Sequence, residues 1–130
     1  MHAARALKEQ SGAIFPDYGI ADWLAVAKRL MAVGGNGRIA FDYDMKIAEP
    51  FNTPASTDVD MWPAYQALAG RPVLVLRGEL SDILSSKTME RMASEIPGAE
   101  TVTVPRVGHT PSLAEPEARA AITQLLAKCA

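Results

Sequence analysis

The chain has 130 residues, 48% of them hydrophobic and 22% charged, and its 13 basic and 15 acidic side chains leave a net charge of −2. That length suits one domain with a sizeable buried core, and the near-neutral balance excludes the broad basic surface that nucleic acid requires. No apolar run approaches the ~18 residues of a membrane span, and the single cysteine, Cys129, excludes an intrachain disulfide or a multi-cysteine metal site.

The start, MHAARALKEQ, lacks the continuous apolar stretch of a signal peptide, so a cytoplasmic location with no membrane partner is expected. Residues 3–9 are helix formers and end at the turn residues Ser11 and Gly12. Asp22 is placed to cap a helix that runs through Trp23, Leu24, Val26, Ala27, Leu30 and Met31 at three- and four-residue spacing, with Gly34 and Gly35 as its stop. Asn36-Gly37 reads as a tight turn, after which Ile39, Phe41 and Tyr43 alternate with polar or small residues. The proline-bearing stretch over residues 49–58 reads as a loop.

A short helix is expected from about Asp60, with Pro63 in its first turn and Ala64, Tyr65, Leu68 and Ala69 along it up to Gly70. Residues 72–76, PVLVL, form an unbroken apolar run of the kind found in strands buried on both faces of a parallel sheet. Residues 85–96 read as a helix closed by Pro97-Gly98, and residues 100–104 as a second strand. Residues 116–128 read as an amphipathic helix with Ala118, Ala121, Ile122, Leu125 and Leu126 on one side. Strand, helix, strand, helix in this order implies parallel pairing through a crossover. The shift in composition near residues 52–60 divides a helical front, residues 1–58, from a strand-helix rear, residues 59–130.

The chemistry concentrates in the rear. Asp82 lies just past the carboxyl end of the first parallel strand, where open α/β sheets bind their ligands, and a carboxylate there can hold an imidazole in one tautomer. A helix cap is the competing explanation for Asp82, because it precedes a helix. His109 follows Val107-Gly108 at the end of the second strand, a position that gives a general base both mobility and an anchor. Parallel pairing carries both residues to the same rim.

The segments PVLVLRGELSDILS and IPGAETVTVPRVGHTPSLAEPEARAAITQLLA closely resemble the C-terminal end of the α/β-hydrolase fold. The stretch FPDYGIADWLAVAKRLMAVGGNGRIAFDYDMKIAEPF resembles, with less diagnostic motifs, the helical cap of bacterial members and its return to the core. The resemblance implies a partial α/β-hydrolase fold, with a short parallel sheet, flanking helices and a helical cap segment. It also implies that Asp82 is the triad acid and His109 the triad base, acting on an ester, lactone or related acyl bond without cofactor or metal.

The departure from the family concerns the nucleophile. No Gly-x-Ser-x-Gly elbow occurs, and Ser11, Ser81, Ser85, Ser86 and Ser112 all lack the flanking glycines. The 130 residues alone are therefore expected to be inactive, and a small-molecule acyl substrate is expected only once an N-terminal portion completes the site. The open edge of the strand at residues 73–76 is expected to pair with that front portion or with another copy of the chain. A non-catalytic remnant that works as an oligomeric or partner-binding module is the alternative function. Trp23, Trp62, Met31, Met45, Met61 and Phe41 are candidates for an acyl pocket or for ordinary packing, and Arg77 and Arg106 for a substrate carboxylate or for surface ion pairs.

Overall fold

The structure, a computed structural model, describes residues 1–52 and 59–129. Two compact units emerge, one made of Met1–Gly12 and Asp17–Val59, the other of Ala13–Pro16 and Asp60–Ala130.

In the first unit, α1 (His2–Ser11) packs against α2 (Ile20–Leu30), burying Ala4 and Leu7 of one helix and Trp23 and Ala27 of the other. These residues recur at three- and four-residue spacing, which places each pair on one helical face. The Tyr18 and Trp23 rings meet edge to face at a centroid distance of 5.6 Å. Asp22 stands third in α2 rather than before it. Gly19 precedes the helix in an extended conformation, and the Asp22 carboxylate accepts its backbone N–H at 2.9 Å.

The helix stops at Leu30, earlier than the apolar spacing implies, because Met31 turns extended and begins a strand. Strands β1 (Met31–Val33) and β2 (Ile39–Phe41) pair antiparallel, with Ala32 opposite Ala40. Gly37, at a φ of 74°, supplies the left-handed turn, and its N–H reaches Gly34 O at 2.9 Å. Met31 thus belongs to the hairpin and not to the helical stripe. A 3₁₀ helix spans Met45–Asn52 and takes in residues 49–52 of the expected loop, while residues 53–58 of that loop lie outside the described residues.

The second unit holds α3 (Trp62–Gln66), β3 (Leu74–Gly78), α4 (Ser86–Glu95), β4 (Glu100–Val104) and α5 (Pro116–Ala127). Strands β3 and β4 pair in parallel, Leu74 opposite Glu100 and Gly78 opposite Val104, with α4 as the crossover between them. Strand β3 begins two residues later than the apolar run: Pro72 has no N–H to donate, and Val73 enters only by accepting the Glu100 N–H at 2.9 Å. Val75 and Gly78 are buried, whereas Leu74, Leu76 and Arg77 are half-buried.

Helix α3 is a turn and a half shorter than its apolar spacing suggests; Asp60 accepts the Trp62 N–H at 3.0 Å to start it, and residues 67–70 are turns. Helix α4 is capped by Ser85, whose hydroxyl accepts the Thr88 N–H at 3.0 Å. The core gathers Val104, Val107 and Ala118, with Phe15 and Leu76 packed against them, and Ile96 is also fully buried. Helix α5 turns Ala118 and Ala121 inward but leaves Leu126 61% exposed, so its apolar stripe is narrower than expected. No helix among the described residues is long and apolar enough to cross a membrane.

Candidate active site

Both strands of the parallel pair release their chains at the same end, and backbone hydrogen bonds lace the two departing loops together. Glu79 N–H donates to Val104 O at 2.8 Å and Leu80 N–H to Val107 O at 2.9 Å. In return, the Glu79 carboxylate accepts the Arg106 N–H at 2.8 Å, holding Arg106 in the left-handed region at a φ of 56°. A side chain at residue 78 has no room in this lacing: a Cβ there would lie 1.7 Å from Gly108 O and 2.6 Å from Val107 O. Glycine at 78 is therefore what lets the first loop press against the second.

Gly108 is confined in the same way. Its N–H donates to Ile14 O at 2.7 Å, and a Cβ on it would meet the Ile14 side chain at 2.7 Å. The residue that follows, His109, is exposed, and its direction is set by this buried backbone beneath it.

The partner of His109 is Ser81. The Ser81 hydroxyl oxygen lies 3.0 Å from His109 Nδ1 and also accepts the Leu84 N–H at 3.0 Å. Arg77 braces this loop from below, its Nε donating to Leu84 O at 2.6 Å and its Nη2 reaching Ser81 O at 3.5 Å. Arg77 thus serves the loop and is not held out toward a substrate carboxylate. Asp82, the residue expected to hold the imidazole, is next to Ser81 but exposed, and among the described residues no hydrogen bond or ion pair engages its carboxylate. It does not cap α4 either, since Ser85 does. The parallel pair brings the segment 81–82 to His109, and within that segment the serine makes the contact.

Of the residues considered for an acyl pocket, Trp23 is core in the first unit, 2% exposed, and Met45 is 65% exposed. Met31 belongs to the hairpin and Phe41 stacks with Tyr43 at 5.2 Å. Met61 and Trp62 line an apolar cleft of about 180 Å³ together with Tyr65, Thr88 and Met92, and none of Ser81, Asp82 or His109 reaches it. The Arg91 guanidinium lies 3.7 Å from the Trp62 ring centroid, a cation–π contact at its border. The Tyr65 hydroxyl donates to Met92 O at 2.9 Å, and burial, followed by the Glu95 charge, pushes its pKa above the usual 10.

A crystal structure of an α/β hydrolase from Novosphingobium aromaticivorans superposes with a TM-score of 0.89 and 62% identity, over 98% of this chain and 45% of that one. The chain carries a C-terminal portion of the α/β-hydrolase fold. A thioesterase domain from the curacin biosynthetic pathway shares this fold at a TM-score of 0.61 and 16% identity, over 96% of this chain and 43% of its own. A 3-hydroxybutyrate-oligomer hydrolase of Cupriavidus necator is 38% identical over 79 residues, which are 57% of this chain and 27% of that protein. No family model matches. The chain thus spans less than half the length of each of these relatives.

The sequence offers Ser81 as a serine without the flanking glycines of a nucleophile and, with Asp82, as a residue type suited to a helix cap, and neither reading places it against His109. One signal did exist: a serine three residues before Leu84 in a turn-forming stretch is a standard acceptor for a backbone N–H, which fixes its hydroxyl within the loop.

Proposed function

We propose that this chain supplies the general base, His109, of a serine hydrolase acting on an ester or related acyl bond, with the nucleophile carried by the part of the fold outside these 130 residues. The observation that carries the reading is the position of His109: an exposed imidazole on a loop anchored through the buried Gly108, at the carboxyl rim of a parallel strand pair in an α/β-hydrolase fold.

In this reading His109 Nε2 takes the proton of the serine hydroxyl as its oxygen bonds the acyl carbon, and the carbonyl π electrons pass to the carbonyl oxygen. When that oxygen re-forms its double bond, the bond to the leaving oxygen breaks and His109 returns the proton to it. Water repeats the sequence on the acyl-enzyme. The acid role expected of Asp82 finds no support in the partners of His109, so the proposal rests on the imidazole. The first unit, with its α1–α2 pair and hairpin, is proposed as the cap. The open edge of β3 is proposed to pair with the remaining sheet of the fold, since among the described residues β3 pairs with β4 alone.

The test is complementation. The chain is co-expressed with the remaining portion of the 62%-identical hydrolase, and hydrolysis is followed on a chromogenic short-chain ester and on 3-hydroxybutyrate oligomers, the latter suggested by the name of the curated relative. Activity should appear only in the combination and fall on the order of a millionfold with His109→Ala. Hydrolysis that survives His109→Ala, or a combination with none, overturns the proposal.

A further inference from the structure

We propose that Glu79 is a positioning residue for His109, acting through the backbone that leads to it. The inference rests on His109 being the base and adds what sets the place of its loop. Gly78 pairs with Val104, so Glu79 stands opposite Pro105, and the Glu79 N–H reaches Val104 O at 2.8 Å. A parallel ladder continued by one rung would send the Arg106 N–H to the Glu79 backbone carbonyl. The Glu79 side chain takes that N–H instead, at 2.8 Å, and Arg106 sits in the left-handed region at a φ of 56°. There the strand ends and the chain turns toward His109.

An arginine does not choose that conformation for itself, because its Cβ then crowds the following carbonyl oxygen, and the turn needs an outside hold. Each of the three residues before His109 has a tether. The Arg106 N–H rests on the Glu79 carboxylate, Val107 O accepts the Leu80 N–H at 2.9 Å, and the Gly108 N–H reaches Ile14 O at 2.7 Å. Val107 and Gly108 are also buried, whereas Arg106 is exposed. Of these three tethers only the first is made by a side chain, and it holds the residue with the strained backbone. Release of Arg106 to a right-handed φ would rotate the peptide between Arg106 and Val107, and the displacement would pass along the chain to the imidazole three residues on. Glu79 itself touches no reacting atom; it fixes the approach of the residue that does.

Nuclear magnetic resonance spectra of this chain test the inference without any turnover, since the backbone shifts of Arg106 report its φ and the ring cross-peaks of His109 report where the imidazole lies. Wild type and Glu79→Gln, whose amide oxygen still accepts the N–H, should show a left-handed Arg106 and the same ring cross-peaks. Glu79→Ala should lose the left-handed signature and move those cross-peaks. Glu79 is exposed, so its truncation opens no cavity and the variant should stay folded. In the complemented enzyme Glu79→Ala should lower kcat about ten- to a hundredfold with KM unchanged, and Glu79→Gln should restore it. An Arg106 that stays left-handed in Glu79→Ala, ring cross-peaks that do not move, or a Glu79→Gln variant that behaves as Glu79→Ala does overturns the inference. Turnover that depends on His109 but ignores Glu79→Ala overturns it alone and leaves the hydrolase reading standing; a combination without turnover sinks that reading while the spectra still decide whether Glu79 sets the His109 loop.

Discussion

Two strand pairs in this chain have opposite characters. The hairpin β1–β2 has three residues a side, with Val33 and Ile39 70% and 53% exposed, and it is held by an Asn-Gly turn between strands adjacent in sequence. The parallel pair β3–β4 has five residues a side joined through α4, and it buries Val75 and Val104. A hairpin can close on local geometry alone, while a parallel pair must draw its stability from layers packed on it. Only the second arrangement therefore delivers two loops to one rim with their spacing set by a core, and it is the one that carries Ser81 and His109.

The contrast can be broken from either side. Trp23, 2% exposed, anchors the first unit, and Trp23→Ala should cost about 3–5 kcal/mol, with hydrogen exchange accelerating first at the amides of α1 and α2. Protection lost first in β3 and β4 would show that the units do not open as separate bodies. The next effect is a small-to-large change. Gly78→Ala places a methyl 1.7 Å from the Gly108 carbonyl, where only backbone can yield, and should cost about 3 kcal/mol while shifting the His109 ring resonances. A variant with wild-type urea midpoint and unchanged His109 signals would mean that the two loops are not in the close contact described.

The same contrast explains what could be read before the fold was known. Residues 100–104 alternate and end at Pro105, and β4 runs Glu100–Val104, because alternation and a terminating proline are local facts. The end of α2 is not legible, since Met31 satisfies helical spacing as well as it does a strand, and the competing hairpin is decided at Asn36-Gly37, five residues later. The rim itself was legible, as parallel pairing dictates which ends of the strands coincide. Which of Ser81 and Asp82 touches His109 was not. It depends on which way side chains leave an irregular loop, and that follows from Arg77 and the Leu84 N–H, contacts with no period in the sequence.

A smaller effect concerns the helix that joins the two parallel strands. Ser85→Ala removes the acceptor for the Thr88 N–H and the hydroxyl contact with Thr88 at 2.8 Å, and should cost about 1 kcal/mol, whereas Ser85→Asp should cost little. A crossover helix whose loss of cap leaves the urea midpoint unchanged would show that packing on β3 and β4, and not the helix terminus, sets its stability.

The smallest effect should come from the turn between His109 and α5, and its sign depends on pH. Burial alone pushes the Glu115 carboxyl up, but hydrogen bonds from its own backbone N–H, from the Ser112 N–H and hydroxyl, and from Leu113 outweigh this and hold its pKa below the ordinary 4.5. A carboxyl held low in the folded protein binds its proton less readily there than in the unfolded chain. Its contribution is therefore complete above about 4.5 and fades as the pH falls through the folded value. Glu115→Gln should cost less than about 1 kcal/mol at pH 7, because the group is partly solvated, and should make stability fall less steeply as the pH drops below the ordinary 4.5. Urea midpoints across that range for both proteins measure the difference. Parallel acid limbs would place the pH sensitivity of the second unit elsewhere and leave the Ser112–Glu115 turn as a neutral hydrogen-bonded corner.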